Sequence, residues 1–146
     1  MAPLRWAVLP SLAFLAFFTY FTYRYLPFSS PGAAAPGITH IVMFKWKDSA
    51  DEASISEATS HFLSLKKRCT HPVYKTPYIL SLTGGRDNSP EGLQDGLTHA
   101  FVVEFRSVWE RDYYVRDDPD HRVFKDSIEK IVDKVVVMDF EPGRFD

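Results

Sequence analysis

An α+β domain built on one sheet, with helices on one side of it and an apolar segment ahead of it, is the fold class this sequence predicts, and three observations carry it. In two strand-length runs, Ile38 to Trp46 and Thr98 to Phe105, His40, Val42, Phe44 and Trp46, and likewise His99, Phe101, Val103 and Phe105, point one way. The residues between them, Ile41 and Met43 in one run and Ala100 and Val102 in the other, are apolar too, so neither face of the sheet reads as wet. The remaining chain offers only two or three stretches with helical starts, enough to cover one sheet face. A symmetric second copy is the simplest cover for the other face, because an isologous contact buries a surface against itself, and a homodimer is expected.

The apolar segment comes first. Trp6 to Tyr23 carry no charge, and with Tyr25 to Phe28 beyond Arg24 the run is long enough as a helix to cross a hydrocarbon core of about 30 Å. Pro10 would fall in the first turns, and Tyr20, Tyr23 and Tyr25 near the lipid interface. Residues 1–28 are therefore expected to act as an anchor, with residues 6–28 in the membrane as a single pass near the N-terminus. The competing reading is a signal segment removed on secretion, since Ala33-Ala34-Ala35 resembles a cleavage site; Pro36 and the length of the run count against it. Residues 29–37, made of Ser, Pro, Gly and Ala, read as a tether.

The domain is expected over residues 38–146. After the first strand, Ser49-Ala50-Asp51-Glu52 reads as a capping box, and Ile55, Thr59, Phe62, Leu63 and Lys66 follow at helical spacing. Lys66-Lys67-Arg68 suits the negative end of that helix. His71-Pro72 and Thr76-Pro77 bracket a loop, because a residue before proline avoids the helical region. Tyr78 to Thr83 alternates as a second strand that Gly84-Gly85 should end, and Gly85 to Leu97 is a polar, turn-rich connection of the kind that shapes sites. The strand at Thr98 comes next. Ser107-Val108-Trp109-Glu110 is a second capping box, opening a short helix through Tyr113 and Tyr114. Asp118-Pro119 pairs an N-cap with a proline at the first helical position, and His121, Phe124, Ile128, Ile131 and Val132 mark that helix's apolar face. Val135 to Phe140 closes as a strand that Pro142-Gly143 stops. The resulting order is the ferredoxin-like βαββαβ plan.

Several functions are excluded at this level. A net charge of −2 from 17 basic and 19 acidic residues leaves no field to hold a nucleic acid backbone, and no basic stripe interleaves with aromatics. The single cysteine, Cys69, has no partner for an internal disulfide and no zinc spacing. Gly84-Gly85-Arg86 lacks the Gly-Lys-Ser/Thr of a phosphate loop, and no Gly-x-Ser-x-Gly elbow occurs. His40, His99 and His121 stand on otherwise apolar faces, an unusual placement. As a metal set, with Asp139 as a fourth ligand, they lack a local pair at ligand spacing, so no metal and no cofactor is expected. As the wall of one cavity between sheet and helices, with Tyr78, Tyr113 or Tyr114 and Asp139 as polar companions, they would take a small hydrophobic molecule.

Five ordered blocks carry a resemblance: Thr39-His40-Ile41-Val42-Met43-Phe44-Lys45, Ser89-Pro90-Glu91-Gly92, Gly96-x-Thr98-His99, Tyr114 with Asp118-Pro119-Asp120-His121, and Val136-Val137-Met138-Asp139-Phe140. In these the chain resembles the stress-responsive A/B barrel family, the dimeric α/β barrels. The resemblance implies a ferredoxin-like subunit whose sheet pairs with a second copy to close a barrel. Similarity to the polyketide-cyclising members implies a catalytic pair, His121 as acid/base and Tyr114 as hydrogen-bond donor, and polar site positions at His40, His99 and Asp139. Phe44, Phe101 and Phe124 would shape the substrate slot. The chain departs from those members by one extra residue between Tyr114 and Pro119 and by Asp118 in place of a histidine, which leaves Tyr113 as an alternative to Tyr114. Two readings stay open: a dimeric small-molecule-binding module tethered to a membrane, and a cofactor-free cyclase-like enzyme that closes a ring by aldol chemistry.

Overall fold

The computed structural model describes residues 37–146, so the expected anchor and all of the expected tether except Gly37 lie outside the described residues. The elements are β1 (Ile38–Trp46), α1 (Glu52–Arg68), β2 (Ser81–Arg86), β3 (His99–Phe105), α2 (Val108–Arg116), α3 (Pro119–Ile128) and β4 (Val132–Phe140). The strands pair antiparallel in the order β2-β3-β1-β4, as the ferredoxin-like plan requires. Among the described residues no helix is long and apolar enough to cross a membrane.

Each helix begins on a side-chain acceptor, although the first is not the one expected. Asp51, rather than Ser49, caps α1 by accepting the Ser54 N–H at 2.7 Å, because a carboxylate is the stronger acceptor for an orphan amide. Ser107 caps α2 through the Glu110 N–H at 3.2 Å, and Glu110 reaches back to the Arg106 amide at 2.8 Å. Asp118 caps α3, taking the N–H groups of Asp120 and His121 at 2.9 and 3.0 Å with Pro119 at the first helical position.

The second strand also departs from expectation, lying at Ser81–Arg86 and running through both glycines instead of stopping at them. Phe101 supplies the reason. A Cβ on Gly84 would sit 2.2 Å from Phe101 Cδ1, so this glycine makes room for the ring across the β2–β3 ladder. β4 begins at Val132, three residues before the expected start, because Trp46 and Val132 pair beyond an irregularity at the end of β1.

His40, Val42, Phe44, Trp46, Phe101, Val103 and Phe105 are all buried toward the helices, with Phe62, Leu65, Tyr114, Phe124 and Ile128 above them. Phe62 lies at the centre, its ring 4.5 Å from Phe101, 4.9 Å from Phe124 and 5.9 Å from Phe44. Burying one such side chain stabilises the fold by about 2–3 kcal/mol. The opposite sheet face carries Ile41, Met43, Val102 and Val136, half-buried, and Met138 and Phe140, exposed. That face is largely apolar, and among the described residues no helix covers it.

Candidate functional site

A cavity of about 630 Å³ opens between the helix-covered face of the β1–β4 pair and the helices α2 and α3. Period-two pleating aims His40, Val42 and Phe44 of β1 into it, and Val135, Val137 and Asp139 arrive directly opposite them in the β1–β4 register. His121, Phe124, Lys125 and Ile128 follow one face of α3, and α2 contributes Arg111, Asp112, Val115 and Arg116. The interior is aliphatic and aromatic, and ionic groups gather along the two helices. Such a shape suits a small amphipathic molecule.

His121 is the most telling group in the wall. Its backbone is held by the Asp118 cap, and its Nδ1 donates to the Tyr114 carbonyl oxygen at 2.8 Å. That bond puts the proton of the neutral ring on Nδ1 and leaves Nε2 as a lone-pair nitrogen. Burial drives its pKa down to about 4, against the pull of the carbonyl bond and with help from Lys125 and His40. At neutral pH the ring is uncharged and able to accept a proton.

Tyr114 lies beneath it. The two rings stack with centroids 3.9 Å apart, and His40 meets Tyr114 edge-on at 5.8 Å. Tyr114 is wholly buried and its hydroxyl has no hydrogen-bond partner among the described residues. Burial, with Cys69 and Asp118 nearby, holds its pKa well above the usual phenol value, so the hydroxyl keeps its proton. It is not part of the cavity surface. Tyr113, the alternative, points elsewhere, between Trp109 at 5.6 Å and Tyr78 at 5.8 Å.

His40 and Asp139 join the two strands across the wall. His40 Nδ1 donates to Asp139 Oδ1 at 2.6 Å, and the other carboxylate oxygen accepts from Arg111, which also donates from Nε to Asp112 at 2.8 Å. α2 is thereby fastened to β4. Behind His121, Tyr78 donates to Asp118 Oδ2 at 2.6 Å, so a buried phenol holds the carboxylate that starts α3. Cys69 is buried beside this pair, and burial together with Asp118 raises its pKa, which keeps the thiol protonated.

The three histidines do not converge. His99 pairs in register with Phe44 toward the far end of β1, where its Nδ1 accepts from Trp46 Nε1 at 3.0 Å and contacts Thr98 Oγ1 at 2.9 Å. Burial, then Arg86, lowers its pKa. Phe101 faces the helices as expected but lies under Phe62 in the core, and neither His99 nor Phe101 lines the cavity. Among the described residues, no group of three His, Cys, Asp or Glu is placed to hold a metal. The ionic rim of Arg111, Arg116 and Lys125 is not among the residues the sequence singles out. Its signal was available, since Arg111 and Val115 share a helical face and Lys125 stands one turn after His121.

The profile of the Stress responsive A/B Barrel Domain matches residues 38–142. Olivetolic acid cyclase from Cannabis sativa is 26% identical over 108 residues, which cover 73% of this chain and 98% of the cyclase. The hydroxynitrile lyase of Passiflora edulis superposes with a TM-score of 0.64 at 22% identity, covering 77% of this chain and all of the lyase. A dimeric ferredoxin-like protein of unknown function from Thermobifida fusca gives 0.57 at 23% identity, covering 73% of this chain and 92% of its own. The two structural likenesses carry the fold alone.

Proposed function

The chain belongs to the stress-responsive A/B barrel domain family, and from that membership we propose that it is a homodimeric small-molecule-binding domain whose cavity performs cofactor-free proton transfer on an amphipathic carbonyl compound. The observation that carries this reading is His121 in the cavity wall, its Nδ1–H spent on the Tyr114 carbonyl and its Nε2 left as acceptor. A proton on the carbon next to a carbonyl would pass to Nε2, and the enolate carbon would form its bond to a second carbonyl carbon of the same molecule. The resulting alkoxide would recover the proton from the imidazolium. A depressed pKa makes the free ring a weak base, and enolate charge developing beside it would favour the imidazolium when it is needed. Lys125, on the same face of α3, is the candidate to meet the enolate oxygen or a substrate carboxylate. The names of the cyclase and the lyase lend support, since both describe chemistry within this fold.

Homodimerisation is supported by the largely apolar sheet face that the described helices leave open and by the dimeric neighbour. The apolar run at residues 6–28 would keep the cavity near lipophilic compounds. One observation favours binding without turnover: the Tyr114 hydroxyl is shut away from the cavity, so a His/Tyr pair is not assembled at its surface. A binding and turnover screen with alkyl-tailed poly-β-keto acids, wild type beside His121→Ala, separates the two readings. Turnover that falls by about 100-fold or more in the variant supports the base. Equal turnover removes His121 from the chemistry, and binding without conversion in both proteins leaves the module.

A further inference from the structure

Exposed aromatic surface collects at the end of the sheet where the chain enters the domain. Gly37 donates its N–H to the Phe105 carbonyl at 2.8 Å, and a Cβ on it would lie 2.3 Å from the Arg106 carbonyl oxygen, so the incoming chain runs tight against the start of α2. There Trp109 is 50% exposed, beside an exposed Val108. Its ring packs at a tilt against His71 at 5.0 Å, and His71 packs at a tilt against Tyr74 at 4.6 Å. Tyr74 and Val73 are each 74% exposed, yet their amides are pinned by His71 Nδ1 at 3.2 and 3.1 Å, so they are held outward. The Thr39–Phe140 pairing brings the end of β4 to the same side, with a fully exposed Phe145 beyond it. The opposite end of the sheet is ionic instead, with Lys45–Asp133 and Lys134–Asp95 pairs.

We propose that this end of the domain, led by Trp109, Tyr74 and Val73, rests in the headgroup layer of a zwitterionic phospholipid bilayer. The proposal rests on the reading of residues 6–28 as an anchor. Nine residues, 29–37, can span at most about 30 Å, so an anchor at residues 6–28 would keep the Gly37 end of the domain within that distance of the lipid. Tryptophan and tyrosine favour this layer because each has an apolar body and a polar handle. Arg106 is offset by Glu110 at 3.7 Å and Arg144 by Glu141 at 3.1 Å, and the exposed loop itself adds a single cation, Lys75, short of the basic cluster that selects anionic lipid.

The test uses the full chain reconstituted into phosphatidylcholine vesicles, with doxyl quenchers placed near the carbonyl region of the lipid. The Trp109 signal is isolated by subtracting the Trp109→Phe spectrum. The expected result is flotation with the vesicles and quenching of that signal by about twofold, with no dependence on added phosphatidylglycerol, and recovery in the Val73→Ser/Tyr74→Ser variant. A chain that does not float loses the anchor reading and this inference together. Flotation with an unquenched Trp109 keeps the anchor and overturns the contact, and quenching only with anionic lipid overturns the zwitterionic chemistry. Trp109 shielding that rises with protein density and ignores the quencher assigns the patch to a second copy and likewise overturns it.

Discussion

Replacing Tyr114 by Phe removes one oxygen from the most enclosed ring in the domain and leaves its shape intact. The ring packs against His121, His40 and Phe105, and its buried hydroxyl has no partner among the described residues, so it pays a desolvation cost on folding that no hydrogen bond offsets. An unsatisfied buried hydroxyl costs about 1–3 kcal/mol. Tyr114→Phe should therefore stabilise the protein by that amount, and for a domain of this size each kcal/mol moves Tm by roughly 5 °C. Urea unfolding followed by circular dichroism, with Tm by calorimetry, measures both. A variant less stable than wild type by about 1 kcal/mol or more would refute the reasoning, since it would mean the hydroxyl has a strong partner such as a trapped water. Turnover adds a second axis: a stabilised variant with full activity removes Tyr114 as a proton donor, whereas a stabilised but inactive one means that the hydroxyl is spent on a ligand.

Three further outcomes are expected. Asp118→Ala should cost about 3 kcal/mol, combining a lost N-cap of about 1–2 kcal/mol with an orphaned Tyr78 hydroxyl, and denaturant titration against Asp118→Asn should show the larger loss for alanine. Gly84→Ala should destabilise by about 1–3 kcal/mol, because its methyl would meet the Phe101 ring and the Ala100 carbonyl, and a companion Phe101→Leu should recover part of the loss. His121 binds its proton less readily folded than unfolded, so the unfolded chain takes up the proton first as pH falls. Its contribution is complete above about pH 6.5 and is lost toward pH 4, by about 3 kcal/mol, and His121→Phe should flatten that part of the stability profile.

Much of the fold could be read from local chemistry. The Asp118-Pro119 start of α3 and the Ser107 cap of α2 are local bonds between neighbours in sequence, and both appear where the residues predict them. The pleat alternation of β1 likewise predicts which side chains face the helices. Apart from the α1 cap, where Asp51 stands in place of Ser49, what failed depended on distant partners. The glycines of β2 read as a stop because nothing near them in sequence reveals Phe101 across the ladder. At the site, the period of β1 aims His40 and Phe44 toward the helices, and the Asp118 cap orients His121. Which of these share a cavity is a matter of register, and β3 runs so that His99 meets Phe44 instead of His40. The link from His40 through Asp139 to Arg111 joins residues far apart in sequence on three elements, and only the β1–β4 pairing brings it together.

The account turns on a neutral His121 that holds its proton on Nδ1 and presents Nε2 to the cavity. Long-range proton–nitrogen correlation spectra of the histidine side chains, recorded from about pH 3 to 8, observe that state directly. The predicted spectrum assigns His121 to the Nδ1–H tautomer, with no titration until the pH falls toward 4. An Nε2–H tautomer, or a ring that titrates at about 6.5 like a free imidazole, would contradict it.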